Sequence, residues 1–169
     1  MQKRWEEHRI TLGLVSLKDP QILLATWFGC GCLFPGPGAW GTLGALPLGV
    51  ALMLFGGPWA LVLASLILFV IGVKVSRHFE HVSNRHDSSI IVIDEAAAVI
   101  LALSVAPPTP FGVVTTFFLF RLFDVAKPFP IGWVDKRVPG EWGVMLDDTI
   151  AAIYTMIVIG VWHYAKASL

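Results

Sequence analysis

Apolar residues along this chain run in long blocks, and the polar ones gather between them. Five apolar stretches stand out: Gly41 to Phe55, Trp59 to Val75, Ile90 to Ala106, Phe111 to Ala126, and Asp147 to Tyr164. Each is near the short end of the roughly 17–25 residues a helix needs to cross a bilayer core. Gly56-Gly57-Pro58 separates the first two and Pro107-Pro108-Thr109-Pro110 the third and fourth. Both are too short and rigid to be anything but tight turns, so these pairs predict helical hairpins. A sixth run, Ile22 to Leu33, is too short to cross and predicts an interfacial or re-entrant helix leading into Pro35-Gly36-Pro37-Gly38. The expected fold is all-α: a polytopic membrane helical bundle of about five spans plus that one short helix. Residues 1–21 form a polar N-terminal segment, and residues 22–169 a membrane-embedded domain.

Composition agrees with this pattern. Of 169 residues, 56% are hydrophobic and 14% charged, with a mean hydropathy of +0.72, which leaves too little charge to cover a soluble domain. The net charge is +0, so there is no basic field to hold a nucleic acid. Met1 to Pro20 is polar, with no cleavable signal peptide, and predicts a cytoplasmic N-terminus. Cys30 and Cys32 match neither a redox pair nor half a zinc site and read as small buried residues.

Charge placement sharpens the topology. With the N-terminus inside, every Lys and Arg except Lys166 falls on the inner side or in the inner half of a span, as cytoplasmic segments require. All 12 acidic residues also fall at or near that face. Orientation alone does not demand that, because the charge rule is largely indifferent to Asp and Glu.

Six of these charges sit where charge is costly. Asp94 and Glu95 interrupt the third apolar stretch, roughly 9 Å deep counted from Ser88, and Arg121 lies roughly 10 Å deep counted back from Pro128. Their two helices form a hairpin, so these charges can meet. Asp124, three residues from Arg121, shares its face, and Asp147 with Asp148 opens the last stretch. Five acids against one base cannot stay ionised in a low dielectric without more positive charge. A hard divalent cation such as Mg2+ is the economical answer, since it takes oxygen ligands and keeps water. Beside Arg121 it would attract a phosphate, polarise a phosphoryl oxygen and lower the pKa of water, which makes a phosphoester hydrolysis site.

Plainer roles stand beside these. Asp147 and Asp148 read equally as helix N-terminal residues favoured by the macrodipole, and Asp87-Ser88-Ser89 as a cap. Arg121 with Asp124 also reads as a structural ion pair. Two adjacent acids inside an apolar helix, Asp94 and Glu95, stabilise nothing by themselves. His78, His81 and His86 read as a solvated inner loop and form no HExxH motif, and His8 and His163 suggest no role.

The sequence excludes several phosphatase chemistries. No Cys is followed six positions later by Arg, no DxD is present, and the KxxxxxxRP and PSGH pattern of histidine lipid phosphatases is missing. The DGxxAR pattern of enzymes that join alcohols to CDP-activated lipids is missing too. Direct attack by metal-activated water remains.

Four ordered blocks carry a resemblance: Gly41-Thr42-Leu43-Gly44, Ile91-Val92-Ile93-Asp94-Glu95 with Asp87, Phe120 to Ile131 with its FRxFDxxKPxPI pattern, and Gly143 to Asp148. They resemble the phosphatidylglycerophosphatase A family, from about Ile22 to Tyr164. Departures are Pro35 to Thr42 in place of an APGT-like run, Ala98 where a Gly is common, and Glu141-Trp142-Gly143 before the last acids. The resemblance implies a bacterial inner-membrane, Mg2+-dependent enzyme that takes the terminal phosphate off phosphatidylglycerophosphate and leaves phosphatidylglycerol. It implies Asp94, Glu95, Asp124, Asp147 and Asp148 as metal or water ligands, with Asp94, Glu95, Asp124 and Asp148 catalytic. Arg121 and Lys127 would hold phosphate. Gly41 and Thr42 would offer N–H groups and a hydroxyl where a helix begins, or serve only as a tight turn. A cation carrier or channel is the rival from another class, and phosphatidate is a rival substrate within the hydrolases.

Overall fold

Proline marks where the helices begin. It occupies the first or second position of four of them, where its missing N–H costs no hydrogen bond. The computed structural model describes residues 2–85 and 88–167, so the expected cap at Asp87 and the inner-loop His86 lie outside the described residues. Among the described residues there are eight α-helices, two short 3-10 turns and no strand. The helices are α1 (Gln2–Leu14), α2 (Pro20–Ala25), α3 (Pro37–Phe55), α4 (Gly57–Ser83), α5 (Ile93–Ala102), α6 (Pro110–Ala126), α7 (Ile131–Arg137) and α8 (Gly140–Ala167).

Three stretches, Pro37–Phe55, Gly57–Ser83 and Gly140–Lys166, are long and apolar enough to cross a membrane. That is fewer than the five expected. The third apolar stretch failed as a span because its apolarity serves the protein interior. Its helix, α5, has ten residues, and Ile90, Val92, Ile93, Val99 and Ile100 are fully buried. Helices α3, α4, α6 and α8 all pack on it, and a helix apolar on every side needs such a wall as much as it needs lipid. The fourth stretch became α6, whose 17 residues reach roughly 25 Å, short of a hydrocarbon core about 30 Å thick. Its exposed residues Phe111, Val114, Phe118, Leu122 and Val125 are spaced three and four apart, one apolar stripe down the helix.

The two hairpin turns are where the sequence placed them. Only Gly56 separates α3 from α4, and Thr109 caps α6 by accepting from the Gly112 N–H at 3.1 Å. The stretch from Ile22 to Leu33 is not one helix. α2 stops at Ala25, the backbone turns left-handed at Trp27, Phe28 and Gly29, and a single 3-10 turn follows at Cys30–Cys32, which leaves both cysteines half-buried where the sequence predicts them buried. This segment folds against the approach to α5: the Val92 N–H donates to the Ala25 carbonyl at 2.9 Å, and the bare Gly31 lies on the Ile90 carbonyl. His78 and His81 fall in the last turns of α4, not on a loop, because α4 continues to Ser83.

Candidate active site

Two adjacent acids open α5, and two more sit inside α8. Asp94 and Glu95 occupy the first turn of α5, where free N–H groups and the helix dipole favour negative charge. The sequence reading placed them deep in a span, but α5 begins at Ile93. It placed Asp147 and Asp148 at the head of the last helix, yet α8 begins at Gly140, two turns earlier and roughly 10 Å away. The macrodipole therefore supports the α5 pair, and the α8 pair lies beyond its reach.

The two pairs face one cavity of about 220 Å³, walled also by Ser88, Ser89, Asp124, Lys127, Asp135 and the turn from Val138 to Gly140. Asp94, Asp147 and Asp148 are all buried. Asp94, Glu95 and Asp148 each bring an oxygen to within 4.8 Å of the other two. Glu95 Oε2 and Asp148 Oδ2 are buried with no hydrogen-bond partner in the protein. Buried carboxylate oxygens left unpaired are costly, and a set of convergent hard oxygens fits a hard divalent cation.

The remaining acids of the site are held by cations. Arg121 Nη1 bonds Asp124 Oδ2 at 2.6 Å, lies 3.6 Å from Glu95 Oε1 and reaches Thr42 Oγ1 at 3.5 Å. Lys127 Nζ bridges Asp135 on α7 at 2.5 Å and Asp147 on α8 at 2.7 Å. Burial works against the Lys127 ammonium, but these two carboxylates outweigh it and hold its pKa above the ordinary lysine range. Lys127 caps α6 in a left-handed conformation, φ 42°, and a non-glycine residue held there is a strained one. Six carboxylates against Arg121 and Lys127 leave an excess of four negative charges around the cavity.

The sequence-derived set thus divides. Asp94, Glu95 and Asp148 converge, whereas Asp124 and Asp147 are anchored to cations. Thr42 is buried, and its hydroxyl donates to the Gly38 carbonyl at 2.8 Å while facing Arg121. Gly41 and Thr42 are not at a helix start, because α3 begins at Pro37. A Cβ on Gly41 would come within 2.5 Å of Val92 Cβ, so its place is close packing of α3 on the approach to α5. Four residues were not expected at the site. Asp135 joins through Lys127, Ser88 and Ser89 line the wall, and Gly38 lies so close to Glu95 and Arg121 that a Cβ there would strike Glu95 Oε1. Only the Pro35-Gly36-Pro37-Gly38 run hinted at the last.

Comparison with known proteins shows which family the chain belongs to. The sequence profile described as phosphatidylglycerophosphatase A matches residues 23–163. The chain belongs to that family. Phosphatidylglycerophosphatase A of Haemophilus influenzae (strain Rd) is 36% identical over 89% of this chain and 93% of its own length. Phosphatidylglycerophosphatase A of Escherichia coli K12 is 33% identical, over 82% of this chain and 81% of its own. A Bacteroides thetaiotaomicron protein provisionally named a phosphatidylinositol-3-phosphatase is 32% identical, over 83% and 91%. No solved structure matches. The phosphatidylglycerophosphatase A match runs from within α2 to near the end of α8 and includes all seven charged residues that line the cavity, with Arg121 beside Glu95 and Asp124. The chain is accordingly a phosphatase, and the cavity is its candidate active site.

Proposed function

We propose that this protein hydrolyses the terminal phosphomonoester of phosphatidylglycerophosphate, giving phosphatidylglycerol and inorganic phosphate. We place it in the bacterial inner membrane with the cavity open to the cytoplasm, and with Mg2+ held by Asp94, Glu95 and Asp148. The convergence of three carboxylate oxygens beside an arginine carries the reading. When bound, Mg2+ supplies positive charge to the phosphoryl oxygens and makes a nearby water more acidic.

The chain's own residues do the rest. Arg121, fixed by Asp124, presents its planar donor fork to the phosphoryl oxygens, and Thr42 limits its swing. Lys127, tethered to α7 and α8, adds a second cation on the cavity wall. Asp148, with one oxygen unengaged by the protein, accepts the proton of the attacking water. The phosphorus–oxygen bond to glycerol breaks as the new one forms, and the glycerol oxygen leaves with the proton that Asp148 took from the water. Burial of the acids on α5 and α8 strengthens their attraction for a cation, because charges interact more strongly away from bulk water.

The positive-inside distribution supports the cytoplasmic orientation. A cation carrier would need a polar path continuing outward. Instead α5 runs on through the buried apolar residues Ala96 to Ile100, and the cavity between the far ends of α6 and α8 is walled largely by residues such as Phe111, Leu119 and Val158. The test is phosphate release from phosphatidylglycerophosphate in mixed micelles by purified protein, with and without Mg2+, beside Asp94→Asn. Metal-dependent release that the folded variant lacks is expected. Equal or faster release from phosphatidate or phosphatidylinositol 3-phosphate would overturn the substrate assignment, and no release from any lipid phosphate would overturn the hydrolase.

A further inference from the structure

The apolar stripe of α6 does not stop where the helix does. Leu122 and Val125 are 58% and 74% exposed, and past the helix end Phe129 and Trp133 continue at 80% and 51%. Between them sits Lys127, whose left-handed backbone turns its ammonium to Asp147 on the cavity wall. Gly132 of α7 lies against the Lys127 carbonyl, and the Tyr154 hydroxyl of α8 donates to the Phe129 carbonyl at 2.9 Å. The α6–α7 corner is therefore fixed in place, with its charge directed to the cavity and its aromatic side chains outward. Four large apolar residues this exposed mark an interaction surface. The Arg137 guanidinium lies 5.9 Å from the Trp133 ring centre, and aromatic residues beside cations sit at the level of lipid headgroups.

Resting on the lipid phosphatase reading above, we propose that the corner of Leu122, Val125, Phe129 and Trp133 is where a phospholipid substrate lays its acyl chains while its headgroup enters the acidic cavity. The occupant follows from what surrounds the surface. The corner follows the exposed apolar stripe of α6 along the chain and holds a cavity residue, Lys127, within it. Arg137 supplies positive charge to the phosphodiester that joins chains to headgroup. A lipid substrate cannot take its chains into a cavity walled by six carboxylates, so they need an apolar ledge at its rim.

The experiment compares two substrates on purified full-length protein: long-chain phosphatidylglycerophosphate at varied mole fraction in mixed micelles, and its dibutanoyl analogue dissolved as monomer. Replacing both corner aromatics (F129S with W133S) should raise the half-saturating mole fraction of the long-chain lipid about tenfold, equivalent to about 1.4 kcal/mol. The maximal rate, and the kcat/KM for the soluble analogue, should stay within about twofold, a difference under about 0.4 kcal/mol. The conservative pair F129L with W133F should keep the wild-type value. Changing Val114 and Phe118 to serine, on the same stripe but farther from the cavity, should leave the half-saturating fraction unmoved. Equal loss on both substrates, no change on the long-chain lipid, or the same shift from the Val114 and Phe118 changes would each overturn the proposal. Wild-type protein inactive on both substrates overturns instead the functional reading beneath it, and shows itself before any substitution is made.

Discussion

The two acidic pairs of the cavity look alike in sequence and are supported in different ways. Asp94 and Glu95 sit in the first turn of α5, under the first turn of α3, with Arg121 beside them. Asp147 and Asp148 sit two turns into α8, where the helix dipole gives no help, and one of them leans on Lys127. Local backbone thus favours one pair, while a lysine from another helix must hold the other. Each pair also keeps one buried oxygen unpaired, on Glu95 and on Asp148. The pairs differ in what stabilises the folded protein and agree in what they offer a cation.

The largest effect should come from neutralising the two acids that carry those unpaired oxygens. Glu95→Gln and Asp148→Asn should each lower phosphate release about 10²–10⁴-fold, the range for losing a group that acts in the transition state. In metal-free buffer Asp148→Asn should also raise Tm, since one buried like charge is gone. A gain of about 1 kcal/mol corresponds to roughly 2–4 °C in a chain of this size. Activity assays and thermal unfolding in detergent with a chelator measure both. A variant that loses activity and stability together would show that its carboxylate is a structural partner instead.

Arg121→Lys tests the support of the α5 pair. The charge survives, but the planar fork that reaches Asp124, Glu95 and Thr42 does not. A loss of about 10–100-fold in kcat/KM is expected, as for other changes to groups that orient a site. Tm should move little. Full activity in the lysine variant would mean that Arg121 acts as a point charge only.

How much of this was legible in the sequence follows the same divide. Periodicity and composition gave α3, α4, α5, α6 and α8 and both hairpin turns, but not α1 or α7, because long apolar runs and Pro/Gly turns depend on residues close in sequence. They gave five spans where three helices are long enough, because a helix wrapped by protein and a helix wrapped by lipid are equally apolar, as α5 shows. The meeting of Arg121 with Glu95 followed from the hairpin. The bridge from Lys127 to Asp135 did not, because it depends on the left-handed turn at Lys127 and on where α7 comes to rest. Helix starts misled in the same way: Asp147 looked like a first-turn residue only because Gly140 to Leu146 is too mixed to announce a helix.

Lys127→Met tests the support of the α8 pair. Removing one partner of a buried ion pair costs about 3–5 kcal/mol, and Lys127 is a third exposed, so about 1–2 kcal/mol is expected after screening. Tm should fall by roughly 2–8 °C. The folded lysine's pKa lies above its ordinary 10.5, so its contribution is fully present below pH 10.5 and is lost only as pH rises through the higher folded value. The gap between wild type and variant should therefore not close as pH rises from about 7 to 9. Adding Asp147→Asn should recover most of the loss, as expected when the cost lies in the carboxylate left behind.

The smallest effect should come from a paired acid outside the spans, which serves as the exposed reference for both buried pairs. Asp19 accepts from His78 Nε2 at 2.8 Å and from the Gln21 N–H at 2.8 Å, where it caps α2. The bond from His78, then that from Gln21, holds its carboxyl below the ordinary 3.8. A depressed carboxylate contributes above its unfolded value and loses that contribution as pH falls through its folded value, so the window lies below pH 3.8. Asp19→Asn keeps a capping side chain and removes the charge. Thermal unfolding at pH 7 should show a fall of less than about 2 °C, shrinking as salt is added. Below pH 3.8 the difference should close. A fall as large as that of Lys127→Met would mean that exposure to water does not grade these ion pairs, and the contrast between the supported and unsupported acids would lose its physical basis.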